Sequence, residues 1–137
     1  MTHLKFYRAF VFLGVMTVST AGVCADTSAK PLEGVWGGDR LQLVVDAKGG
    51  RVELDCASGA FAGPIMLSAA GTFTVVGTFD EHQPGPQRAD ESPASPARFS
   101  GDVGGDEMRL SIAPHGPHQT QVFSLRKGVR VKLIRCL

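Results

Sequence analysis

From Leu41 to Leu133, apolar side chains recur at every second position in short runs, and turns rich in glycine separate them. A two-residue period puts those side chains on one face of a strand and cannot make a stripe on a helix of 3.6 residues per turn. Leu41, Leu43 and Val45 alternate with Gln42, Val44 and Asp46, and Lys48-Gly49-Gly50 turns the chain. Val52, Leu54 and Cys56 then alternate with Arg51, Glu53 and Asp55. The run from Phe61 to Leu67 contains Gly63 and Pro64, which predicts an edge or a bend. Phe73, Val75, Gly77 and Phe79 interleave with Thr72, Thr74, Val76 and Thr78. Phe99 to Val103, Met108 to Ile112, Phe123 to Leu125 and Val129 to Leu133 complete eight candidate strands.

Between the fourth and fifth runs the rhythm stops. Residues 80–97 hold Pro84, Pro86, Pro93 and Pro96 among polar residues. A loop longer than about 12–15 residues is uncommon in a compact domain and is usually functional or disordered. The other connections are short, and no 3.6-residue period follows the first 25 residues. The reading is all-β: an eight-stranded antiparallel up-and-down barrel over residues 34–137, whose closure removes exposed edges. An open sandwich is the alternative. The interior is expected to hold Leu41, Leu43, Val45, Val52, Leu54, Phe73, Val75, Phe79, Phe99, Met108, Leu110, Ile112, Phe123, Leu125, Val131 and Leu133.

The N-terminus reads as an export signal over residues 1–25. Lys5 and Arg8 precede the apolar run Ala9 to Met16, and small residues lead to a cut near Ala25. That run is shorter than the roughly 18–20 residues a membrane span needs, so no stable span is expected after cleavage. Lipidation at Cys24 is an alternative that Val23 fits poorly. Residues 26–33 read as a loose, polar leader, and the expected destination is a bacterial periplasm or beyond. Cleavage removes Lys5 and Arg8, leaving 12 basic against 13 acidic residues, a balance that attracts no nucleic acid. Cys56 and Cys136 remain and read as one disulfide, with two buried thiols as the alternative. Simple alternation sends Cys56 inward and Cys136 outward, so a bridge needs at least one of them past its strand end.

Few residues invite chemistry. His115 and His118 share a Pro/Gly turn, and a third metal ligand would have to come from His82, Asp80 or Glu81 across the long loop. Ser92, Ser95 and Ser100 lack the context of an activated nucleophile. The pairs Asp80-Glu81 and Asp106-Glu107 are adjacent and point to opposite faces of a strand. No catalytic, metal or cofactor set is expected. The basic group Arg126, Lys127, Arg130, Lys132 and Arg135 reads either as a docking stripe for an acidic partner or as a solvated outer face.

Gly34-Val35-Trp36 before the first run, with Arg135 closing the last, resembles the Gly-X-Trp pattern of the calycins, the superfamily of lipocalins, fatty-acid-binding proteins and avidins. That resemblance implies a barrel floor in which Arg135 stacks on Trp36, a cation–π contact of about 0.5–2 kcal/mol. The second lipocalin motif and the aromatic walls of avidins are absent. The chain is also similar to small exported metalloprotease and lysozyme inhibitors, and looks like uncharacterised exported bacterial proteins with a Trp-Gly-Gly entry. Two non-enzymatic functions follow as expectations for a monomer. One is a small apolar or amphipathic ligand at the barrel mouth, with its contact residues unknown. The other is a protein partner, such as a secreted or envelope hydrolase, bound through residues 26–33 or the long loop.

Overall fold

The computed structural model describes residues 29–82, 94–134 and 136. In chain order the strands are β1 (Lys30–Leu32), β2 (Gly34–Gly38), β3 (Leu41–Asp46), β4 (Gly49–Leu54) and β5 (Ala57–Ala62). They continue as β6 (Ile65–Leu67), β7 (Thr72–Glu81), β8 (Ser95–Gly104), β9 (Glu107–Pro114) and β10 (Gln121–Lys127). Eight of them close an antiparallel barrel in the order β10-β2-β3-β4-β5-β7-β8-β9, while β1 and β6 form a separate two-stranded sheet. The all-β, eight-stranded antiparallel barrel is therefore present, and no helix occurs among the described residues.

Its membership differs from the expectation at both ends. Trp36 lies within the first barrel strand, with Trp36 opposite Leu43 and Val35 opposite Val44. β10 then meets β2 in two pairs, Arg126↔Gly37 and Lys127↔Trp36, which completes the ring. No edge is left for residues 129–133, so the expected last strand does not form. Gly128, at φ 76°, turns the chain away from β10. Val131 and Leu133 are correspondingly half-buried outside the barrel, not inside it.

The interior is filled by side chains. Leu41, Leu43, Val52, Phe99, Leu110 and Ile112 have no exposed surface, and Val45, Phe73, Phe79, Met108 and Leu125 have almost none. Leu54, Val75 and Phe123 pack against this core while staying partly exposed. Burying each such side chain stabilises the fold by about 1.5–3 kcal/mol. Large rings fit because glycines face them: Gly50 stands opposite Phe61, Gly59 opposite Phe79 and Gly101 opposite Phe73. A methyl group on Gly59 would come within 3.0 Å of Phe99 and 3.1 Å of Phe79. Phe61 and Phe99 meet at a tilt, ring centroids 5.3 Å apart and planes 53° from parallel, within the centroid range of favourable aromatic pairs.

One end of the barrel is plugged. Gly63 and Pro64 split the run Phe61–Leu67 into β5 and β6, and β6 leaves the wall to pair with β1. Leu32, Ile65 and Leu67 from this small sheet join the core. The latter part of the leader is therefore docked and not loose. At the other end, strand pairing extends β7 to Glu81 and starts β8 at Ser95, inside the stretch expected to be irregular. Residues 83–93 of that loop, the expected signal segment 1–25 with Cys24, and residues 26–28 lie outside the described residues.

Candidate functional site

Polar contacts concentrate on the outer wall over β2, β3 and β4, where residues 129–134 form a strap. Gly37 faces outward and has no side chain; the carbonyl of Val129 and one methyl of Val131 occupy the space a Cβ would need. The Val131 N–H donates to Gln42 Oε1 at 3.3 Å, and the Ile134 N–H donates to Asp55 Oδ1 at 2.8 Å. Arg40 pairs with the other Asp55 oxygen. The strap ends at Cys136, whose Cα lies 5.3 Å from that of Cys56, at disulfide distance. The alternation conflict disappears because both cysteines lie past strand ends, Cys56 in the bend after β4 and Cys136 beyond β10.

The charges of this corner favour ionised forms. The Arg40 side chain first, then the Ile134 N–H, hold the Asp55 carboxyl below the usual carboxylate range. Asp55 in turn raises the pKa of the Arg40 guanidinium. Arg40 and its neighbour Asp39 form the two-residue turn between β2 and β3, at φ 59° and 49°. Left-handed backbone suits a tight hairpin but costs non-glycine residues energy. Asp39 has a compensating contact, since its carboxylate accepts from the Ser124 N–H at 2.7 Å across the short β10–β2 seam. A groove of about 670 Å³ runs beside this seam, lined by Asp39, Asp102, Arg109 and Arg126 among others.

Trp36 is buried at 1% exposure, and its indole Nε1 has no hydrogen-bond partner among the described residues. The Lys127 ammonium stands 5.9 Å from the ring centroid. This contact follows from the register, because Lys127 is the residue paired with Trp36. Arg135, the cation expected there from the resemblance, lies outside the described residues. Sequence reading missed Lys127 because it assigned residues 129–133 to the closing strand.

At the barrel end opposite the β1–β6 sheet, Gln121 Nε2 donates to Glu81 Oε1 at 3.1 Å, and His118 Nδ1 lies 3.8 Å from Glu81 Oε2. His115 is engaged through its backbone, donating to the Pro96 carbonyl at 2.8 Å. No group of three metal-ligating side chains comes together among the described residues. In the basic group, Arg126 pairs with Glu107 at 3.1 Å, while Arg130 and Lys132 project from the strap into solvent. Compared with family models, curated proteins and solved structures, the chain matches none.

Proposed function

We propose that this is an exported, non-enzymatic binding protein that engages a protein partner through its outer surface. The packed interior carries that reading. Aromatic rings interlock with Gly50, Gly59 and Gly101, and the β1–β6 sheet fills one end, so the side chains take the space a small ligand would need. This favours the protein-partner expectation over the ligand-at-the-mouth expectation. Cys56 and Cys136 at disulfide distance support an oxidising compartment, periplasmic or secreted, and agree with the signal segment. The calycin-like reading draws support from the closed barrel and from a cation over Trp36, which among the described residues is Lys127.

Native mass spectrometry of the exported protein combined with cross-linking in its own envelope fraction tests the proposal. The expected result is a bare polypeptide mass and one cross-linked protein at fixed stoichiometry. A small molecule retained at one per chain, displaced by an apolar dye, would overturn it.

A further inference from the structure

We propose that the gap in the barrel wall between β5 and β7 is a docking edge for a lone extended segment of the partner protein. The inference rests on the protein-binding reading and names its surface. β5 and β7 are in register only from Ala57↔Glu81 to Ala60↔Thr78, although β7 starts at Thr72. β5 continues along β4 through Gly50↔Phe61 and Gly49↔Ala62, and β6 pairs with β1. Among the described residues, Phe73–Gly77 are therefore registered with β8 alone.

The hydrogen-bonding phase shows which groups face the gap. The Val103 N–H donates to the Gly71 carbonyl at 2.9 Å. Antiparallel bonding repeats every second residue, so Phe73, Val75 and Gly77 bond toward β8, and Thr74 and Val76 turn their N–H and C=O into the gap. Ser68 closes one end: its N–H donates to the Thr72 carbonyl at 2.9 Å, and its Oγ accepts from the Thr72 N–H at 3.1 Å. The Ala60↔Thr78 pair closes the other. Two further observations mark the opening. Val75 is mid-strand and paired with the fully buried Phe99, yet it stays half-exposed. Val76 beside it is 69% exposed, the highest value among the large hydrophobic residues described.

The dimensions and chemistry select the occupant. The Ala60 carbonyl and the Phe61 side chain already lie against Gly77, so the free stretch of β7, Phe73–Val76, is about 13 Å long at about 3.3 Å per residue, with chain attached at both ends. A second barrel would bring its own flanking strands and cannot lie flush there; a single strand can. Rim positions Ala60, Ala62, Thr72, Thr74, Val76 and Thr78 carry no ionisable group; the exposed charges beside them are both basic, Arg98 paired with Val76 and Arg51 paired with Ala60, and Pro64 blocks only the β5 side, leaving the β7 edge unguarded. The segment that fits carries no basic residue, pairs with Thr74 and Val76 through its main chain, and turns an apolar side chain toward Val75.

The test is an NMR titration of the isotope-labelled protein with a blocked, alternating threonine–valine hexapeptide. Amide shifts confined to Phe73–Gly77 are expected. Val76→Pro removes the N–H that faces the gap while keeping the β8 bonds, and should abolish the response; Val76→Thr should keep it. Absence of shifts at millimolar peptide, shifts centred elsewhere, or a response that survives Val76→Pro would overturn the assignment. Self-association lost on Val76→Pro would overturn it in favour of a second copy. If the cross-linked partner is still captured by the Val76→Pro variant, this edge fails and the protein-binding reading stands.

Discussion

Asp55 holds two anchors at one carboxylate, Arg40 and the Ile134 N–H, and stands one residue before the bridge site at Cys56. Because its folded-state pKa is depressed, its contribution to stability is fully present above the unfolded carboxylate value near 3.9. The contribution is lost as the pH falls through the lower folded value. Amide exchange at Ile134 should accelerate over that acidic window relative to the intrinsic rate, and Asp55→Asn should flatten the change. An unchanged profile in Asp55→Asn would remove Asp55 as the strap's anchor. Residue-level reading of the sequence found Trp36 and both cysteines by type. It could not find the Asp55–Arg40 pair, because fifteen positions separate the two and only the pairing of β3 with β4 brings them together.

Two elements behave differently from their sequence pattern. Val129, Val131 and Leu133 alternate as a strand would, yet Val129 is exposed and Val131 and Leu133 are half-buried outside the barrel, Val131 against the bare backbone of Gly37. Alternation reports only that one side of an extended segment is covered; it does not say by which surface. The β1–β6 sheet is too short to show a period, with three residues in each strand. Its value is in burial. Leu32 is 5% exposed and Ile65 1%, so Leu32→Ala should cost about 2–4 kcal/mol through lost transfer energy and a residual cavity. A urea midpoint unchanged by Leu32→Ala would mean that the plug is not part of the cooperative core. The turns were more legible than either element, though shifted by a residue or more: the chain reverses at Ala47-Lys48, with Gly49 and Gly50 already in β4, and at Gly105-Asp106, with Gly104 ending β8.

For the whole molecule the long-range staple matters most. Cys56 and Cys136 are separated by 80 positions, and closing a loop of that length restricts the unfolded chain by about 4–5 kcal/mol on the chain-entropy model. Replacing both cysteines with serine should lower stability by about 2–5 kcal/mol in chemical denaturation. Trp36, the one tryptophan of the chain, reports on unfolding by fluorescence. A double variant as stable as the parent would show that hydrogen bonds and packing alone hold the strap.

The sequence by itself determined that the protein is built of antiparallel strands around one apolar face, and it supplied eight strands' worth of pattern for a barrel. Those conclusions follow from a local property, the two-residue period set by backbone geometry. Which eight strands close, which cation reaches Trp36, where the C-terminal residues rest and where the wall stays open were decided by tertiary structure. Closure is non-local: once β10 pairs with β2, the remaining alternating segment has no strand edge to join, and a gap remains wherever two neighbours in the ring part company.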